Sequence, residues 1–368
     1  MVVRVLALVG DCYGGLGGIA RYNRDLFEGL AAGGTEILVL PRLGDAHGLA
    51  LPQGIRQQPA ISSRLKFSLS AVWAAWRARP VDVVFCGHVY MAPLAWMLAR
   101  LFRAHYWLQA HGADIWRDRP ERERVAIEAA DQVTTVSRTT RRILLGRTNL
   151  APERVRVLPN TVGDQFVPGP PPEALRARLG LGRGPILLTV GRLASGERYK
   201  GHEQIFAALP ALRAIFPQLV HVVVGDGDDR ARLEARAAEL APAPGAVRFL
   251  GFVPDEELPQ LYRLADLFVM PSSEEGFGIV YLEAAACGLR VVGGAGGGVA
   301  DAIPDARVGL IVDPLDLGAL IDAIRRSLGQ GRVDPAAIEP YRRPHFAAAA
   351  RLLLARVLTR PCRKRGEP

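Results

Sequence analysis

The sequence predicts an α/β protein of two doubly wound domains, each a parallel sheet covered on both faces by helices. Three observations carry the prediction. Short apolar runs alternate with helical patterns along the chain, the rhythm of repeated βαβ units. The strand runs are largely apolar and without alternation, as strands covered on both faces should be. The 368 residues exceed the usual size of one core, and a Pro/Gly-rich stretch near the middle interrupts the rhythm before it restarts.

The first domain, expected over 1–167, opens with the strand VRVLALVG, a glycine-rich turn and a helix over 18–32. EILVLP, a helix over 68–78, VDVVFCG, a helix over 93–102 and HYWLQAHG follow. The stretch FVPGPPPEALRARLGLGRGP reads as a linker, bounded at 168–183. The second domain, 184–338, runs through ILLTVGR, a helix over 202–215, VHVVVGDG, a helix ending at 240, VRFLGFV and a helix over 255–264. It continues with LFVMPS, the helix of GIVYLEAAACG, VVGG and GLIVDP. A last helical stretch, HFAAAARLLLARVL within 339–360, is expected to cross back to the first domain. The carboxyl ends of both sheets would then face a central cleft, where doubly wound domains bind ligands.

Composition narrows the function classes. Hydrophobic residues make up 49% and charged residues 23%, enough for two good cores. The four cysteines, Cys12, Cys86, Cys287 and Cys362, have no CxxC spacing or histidine partners, which argues against a zinc site or disulfide framework and for a reducing compartment. MVVRVLALVGDCYGG reads as a first strand rather than a signal peptide, and no apolar run is long enough to span a bilayer, since VYMAPLAWMLARLF is broken by Arg100. The net charge of +9 divides into +7 over 1–167, −4 over 168–338 and +6 over 339–368. Basic surface therefore belongs to the first half and the tail, which suits an anionic membrane surface; no nucleic-acid-binding signature accompanies it.

Four constellations carry chemistry. In GDCYGGLGGIARYNRDL, Gly14, Gly15, Gly17 and Gly18 stand between the first strand and its helix, where backbone N–H groups can approach an anion; a merely tight turn is the plainer account. The register does not match G-x-G-x-x-G, and no acidic residue closes the second strand, which disfavours a dinucleotide site. In VGRLASGERYKGHEQI, Arg192 follows a buried strand and Lys200 precedes a helix, two fixed cations suited to a diphosphate leaving group. QAHGADIW places His111 and Asp114 at a strand end, where a histidine is either catalytic or a satisfied core residue. In VVVGDGDDR, Asp226 and Asp228 mimic a DxD metal motif, but a turn with a helix cap at Asp228 or Asp229 accounts for them, and no metal is expected.

The fourth stretch is SSEEGFGIVYLEAAACG. A turn leads into a helix closed by Gly288, and the N–H groups near Gly278, Ile279 and Val280 are suited to phosphate oxygens. Glu275 precedes the helix and Glu283 follows eight residues later, so both can reach one site. Glu283 stands among apolar neighbours, and a buried carboxylate requires hydrogen bonds, which sugar or ribose hydroxyls would supply.

Together, PSSEEGFGIVYLEAAACG and GRLASGERYKGHE resemble the retaining glycosyltransferases of GT-B family 4, whose E-x7-E pair corresponds here to Glu275 and Glu283. GGLGGIARY, HGADI, VSRTTRR, VLPNTVGDQFVPG, VRFLGFV and GLIVDP extend the resemblance over nearly the whole chain. It implies a GT-B fold of two Rossmann-like domains and a nucleotide-diphosphate sugar as donor. By the same resemblance Glu283 would hold the ribose, Glu275 the donor sugar, and Arg192 and Lys200 the diphosphate. Gly276, Phe277, Gly278, Ile279, Val280 and Gly17 would add donor contacts, with the base against Phe252 and Val253. His111 would stand beside the sugar. Arg21, Tyr22 and Asp114 are the candidates for acceptor binding in the first domain. The leaving phosphate would take the acceptor's proton on the same face, with Arg192, Lys200 and a helix N-terminus in place of a metal, so no cofactor is implied. The spacing from Arg192 to Lys200 is longer than in tight family examples, and Arg198 could substitute in part.

SSRLKFSLSAVWAAWRARP sets Leu65, Leu69, Val72, Trp73 and Trp76 on a helical period with Arg64, Lys66, Arg77 and Arg79 at its ends, either an interfacial helix or one packed on the sheet. The expectation is a cytoplasmic enzyme peripheral to the inner membrane face, acting on a lipid- or polyprenyl-linked glycan for exopolysaccharide or cell-surface glycan synthesis. The donor leans to GDP-mannose, since GGAGGGVADAI resembles subgroups that use it. Alternatives are a UDP-glucose or UDP-GlcNAc user with a soluble acceptor, a non-hydrolysing sugar-nucleotide 2-epimerase, and a silent nucleotide-sugar-binding protein.

Overall fold

A computed structural model of the chain describes residues 2–15 and 17–360. The chain divides into two compact units, Met1–Thr161 with Arg343–Pro368, and Val162–Arg342. The division falls ahead of the 168–183 stretch, which lies inside the second unit and carries a helix of its own, Glu173–Arg178. Leu175 gives that helix a buried anchor, so a Pro/Gly-rich composition does not make this segment free chain.

In the first unit the strands are β1 (Arg4–Val9), β2 (Glu36–Pro41), β3 (Ile55–Gln57), β4 (Val83–Cys86), β5 (His105–Ala110), β6 (Gln132–Thr135) and β7 (Val155–Val157). They form one parallel sheet in the order β3-β2-β1-β4-β5-β6-β7. Its helices are α1 (Gly18–Ala31), α2 (Arg64–Arg77), α3 (Ala92–Phe102), α4 (Ala113–Trp116), α5 (Glu121–Glu128) and α6 (Arg138–Arg147). Aromatic edges fill the core, with Phe27 to Phe85 and Phe85 to Trp107 both at 5.5 Å between ring centroids. The strand order reverses between β1 and β4, so ligand chemistry in this unit is expected at the carboxyl ends of those strands.

The second unit holds α7 (Glu173–Arg178), then β8 (Ile186–Val190), α8 (His202–Ile215), β9 (Val220–Val224), α9 (Arg230–Leu240), β10 (Val247–Gly251) and α10 (Leu258–Leu264). It continues with β11 (Leu267–Met270), α11 (Ile279–Ala286), β12 (Val291–Gly294), α12 (Val299–Ala302), β13 (Gly309–Val312) and α13 (Leu317–Leu328). Its sheet is also parallel, ordered β10-β9-β8-β11-β12-β13, with the reversal between β8 and β11. α11 is apolar on all sides because it is buried on all sides, and Tyr281, Leu282 and Ala284–Ala286 are almost without exposed surface.

The last helix, α14 (Arg343–Leu358), packs on α1 of the first unit. Gly29 makes the approach possible, since a Cβ there would lie 3.0 Å from the Ala347 Cα. Arg343 reaches the buried Asp25 carboxylate at 2.7 Å, and burial pushes that carboxyl up to about 6 even with the guanidinium beside it.

Candidate active site

The second unit gathers its charged groups where the strand order reverses. Arg192 leaves the carboxyl end of β8, two short 3-10 turns kinked at Glu197 follow over Ser195–Lys200, and Lys200 precedes α8. Lys200 is only 8% exposed; its ammonium lies over Gly191, 2.6 Å from Glu197 Oε2 and 3.3 Å from the Arg192 carbonyl. Arg192 pairs with the other oxygen of Glu197, so one carboxylate holds two cations. Burial raises the Glu197 pKa, and the Lys200 and Arg192 charges outweigh it to hold the carboxyl below its ordinary value. Sequence reasoning missed Glu197, whose signal was a carboxylate midway between two cations proposed for one ligand. Arg198 turns away to Asp229 at 3.3 Å, and Asp229 is held by Arg232 at 2.6 Å. Arg198 therefore belongs to this second cluster and does not substitute for Lys200.

The neighbouring strand β11 supplies Glu275. The Tyr199 carbonyl accepts the Ser273 N–H at 2.9 Å, which ties the Lys200 segment to the loop after β11. Burial pushes the half-buried Glu275 carboxyl up to about 7, with Lys200 pulling it down and Glu197 pushing it up. The loop is fixed from behind by glycines at the end of β12 and just past it. Cβ atoms at Gly294 and Gly296 would lie 2.1 Å and 2.0 Å from the Ser272 and Ser273 carbonyl oxygens. One at Gly297 would lie 2.0 Å from that of Glu275, where φ is +66°, and the Gly298 N–H donates to the same oxygen at 2.6 Å.

α11 begins at Gly278, whose φ of +88° and 2.5 Å approach to the Tyr281 ring exclude a side chain. No side chain caps this helix, so Ile279 and Val280 present their N–H groups beside the Glu275 loop. Gly276 is half-buried and Phe277 buried, with its ring 6.4 Å from Tyr341. Glu283 is 2% exposed and accepts the Tyr262 hydroxyl at 2.9 Å, so the protein supplies a bond that the sequence assigned to ligand hydroxyls. Phe252 is 62% exposed and Val253 half-buried just past β10. Asp226 engages Arg230 at 3.4 Å, whereas Asp228 accepts the Ser195 hydroxyl at 2.6 Å, so the DxD carboxylates serve separate turns.

In the first unit, His111 closes β5 with its Nε2 3.1 Å from the Gly87 carbonyl. Burial lowers its pKa to about 4, leaving a neutral ring that donates through Nε2. Asp114 accepts the N–H groups of His111 at 3.0 Å and Gly112 at 2.8 Å, so its carboxylate shapes the turn. Tyr22 lies inside the core, its hydroxyl donated to Gln109 at 2.8 Å and its ring 5.2 Å from that of His111, so it does not present itself to an acceptor. Arg21 is half-buried on α1. Gly17 caps α1 with nothing within 4 Å of a Cβ, whereas Gly14 and Gly15 are packed against Asp45 and Asp11. Only part of the glycine run is thus open to a ligand.

α2 packs on the sheet through Phe67, Ala71, Ala74 and Ala75. That leaves Leu65, Leu69, Trp73 and Trp76 outside, each more than half exposed, with Val72 half-buried between the two faces. Met97 and Leu101 add exposed apolar surface on α3, the helix beside it. No helix among the described residues is long and apolar enough to cross a membrane.

Two parallel α/β units with this strand order define the class of GT-B proteins. Sucrose-phosphate synthase from Thermosynechococcus elongatus superposes with a TM-score of 0.77 at 25% identity, over 96% of this chain and 99% of that one. Residues 16–166 match the family model Glycosyltransferase Family 4, and residues 173–340 match Glycosyl transferases group 1. The two matches, in tandem over most of the chain, mark it as a GT-B, family 4-like glycosyltransferase. It is 36% identical over 214 residues to a GDP-mannose-dependent alpha-(1-6)-phosphatidylinositol monomannoside mannosyltransferase of Mycolicibacterium smegmatis, covering 56% of this chain and 54% of that protein. It is 27% identical to O-antigen chain mannosyltransferase B of Escherichia coli, over 85% of this chain and 87% of that protein. The chain spans about half the length of several other curated relatives it matches.

Proposed function

We propose that the protein is a retaining hexosyltransferase that moves a sugar, mannose from GDP-mannose in the first instance, to a lipid- or polyprenyl-linked glycan acceptor. The observation that carries this reading is the convergence, at the reversal between β8 and β11, of buried Lys200, Arg192, Glu275 and the uncapped start of α11. Two cations and a helix N-terminus around one point suit a diphosphate whose charge grows as the sugar departs. Glu197 holds the cations in place and competes with the incoming diphosphate for them. Glu275, with its carboxyl near 7, can either donate to or accept from a sugar hydroxyl at neutral pH. Glu283, oriented by Tyr262, is assigned to the ribose.

The same positive charge supports metal-independent chemistry, with the leaving phosphate oxygen taking the acceptor hydroxyl proton as the new glycosidic bond forms on the same face. The neutral His111 supports a positioning part rather than one as proton acceptor. The mannose reading draws on the names of the two mannosyltransferase relatives. Membrane attachment at the inner face, in exopolysaccharide or cell-surface glycan assembly, draws on the exposed α2 row and the basic first unit. The test is a panel of nucleotide sugars offered with a prenyl-diphosphate glycan. Turnover with GDP-mannose supports the reading, turnover only with UDP-sugars removes mannose, and donor conversion without acceptor, followed by NMR, replaces transfer by epimerisation.

A further inference from the structure

At the amino-terminal edge of the first sheet lies a cavity of about 250 Å³ lined by Arg4, Glu36, Arg56, Arg77 and Arg79. Arg4 shares its charge with Glu36 at 3.4 Å, but Arg56, Arg77 and Arg79 have no carboxylate partner among the described residues. Two of these guanidinium groups are stacked on rings, Arg77 at 4.8 Å from the Trp73 centroid and Arg79 at 5.1 Å from that of Phe102. Stacking fixes the plane and leaves the N–H edge open for bidentate contact with oxyanions. β1 runs on for about 10 Å beyond the cavity before its carboxyl end, so a ligand here is separate from the strand ends where ligand chemistry in this unit is expected. The volume suits a small headgroup better than a nucleotide, whose pockets are larger.

Position supplies the source of the anion. Arg77 ends α2, the helix whose outward row is Leu65, Leu69, Trp73 and Trp76, and Arg77 stacks on a member of that row. We infer that this cavity binds the phosphate of an anionic lipid headgroup while the α2 row lies in the interfacial layer. The inference rests on the membrane part of the proposed function and adds a discrete headgroup site to it.

The test is co-sedimentation of the full chain with phosphatidylcholine vesicles that contain or lack phosphatidylglycerol. An Arg77→Gln/Arg79→Gln pair is set against Arg117→Gln/Arg142→Gln, which removes the same charge from exposed positions elsewhere in the first unit. The cavity pair should weaken binding to phosphatidylglycerol vesicles by about fivefold per arginine and the control pair by much less. Arg77→Lys/Arg79→Lys, which keeps the charge but not the fork, should fall between wild type and the glutamine pair, and turnover with a soluble acceptor should not change. Equal losses in the cavity and control pairs would overturn the headgroup site and leave membrane attachment standing. Wild type that ignores both kinds of vesicle would overturn both.

Discussion

Replacing Glu275 by glutamine should remove a pH dependence of stability from the second unit. Burial holds this carboxyl near 7 instead of 4.5, so the unfolded chain releases the proton first as pH rises. The folded state then binds more protons than the unfolded one, and stability falls between about pH 4.5 and 7 and is flat above. The full displacement corresponds to ~3 kcal/mol; because Glu275 keeps part of its surface in water, about 1–2 kcal/mol is expected. Other titrations, such as neutral His202 and His221, are common to wild type and variant and cancel in the difference. Hydrogen exchange of β8 and β11 amides at pH 5 and pH 8 reads the effect. Wild type should lose protection at the higher pH by that amount relative to Glu275→Gln, and identical pH profiles would refute a desolvated carboxyl at this position.

Three further outcomes follow from packing. Gly297→Ala places a Cβ 2.0 Å from the Glu275 carbonyl at φ +66°, and should weaken nucleotide-sugar binding at least tenfold by calorimetry; Gly196→Ala, with nothing within 4 Å, should be neutral. Tyr262→Phe removes the 2.9 Å bond to buried Glu283 and should cost ~1–3 kcal/mol in urea denaturation. Arg343→Ala leaves the buried Asp25 carboxyl without its cation, and should destabilise the first unit by ~2–4 kcal/mol at pH 8 and much less at pH 5, where Asp25 is protonated. Tryptophan fluorescence reports that unit, since Trp73, Trp76, Trp96, Trp107 and Trp116 all lie within it.

The six strands of the second sheet were all legible, because each is a short apolar run closed by glycine or proline. In the first sheet β3, β6 and β7 were not, and β3 and β7 are only three residues long. QVTT is buried at every position but polar in composition, its Thr134 hydroxyl bonded to Gln109 and Trp107, so hydropathy gave no signal. α7 hid in a proline-rich stretch for the converse reason, composition overruled by one buried leucine. Arg192, Lys200 and Glu275 could be read from their places at strand ends. Glu197 also stood within reach, since its partners Arg192 and Lys200 are local in sequence, but the Gly294–Gly297 backing did not, because a backbone approach exists only once β11 and β12 lie side by side.

The grip on a diphosphate at the carboxyl ends of β8 and β11 is tested most directly by calorimetry of GDP and UDP binding to Lys200→Ala. A charge-assisted grip lost from a buried lysine should weaken the better-bound nucleotide by about 30- to 100-fold, ~2–3 kcal/mol, with the fold retained. A folded Lys200→Ala variant that binds both nucleotides as tightly as wild type would contradict it.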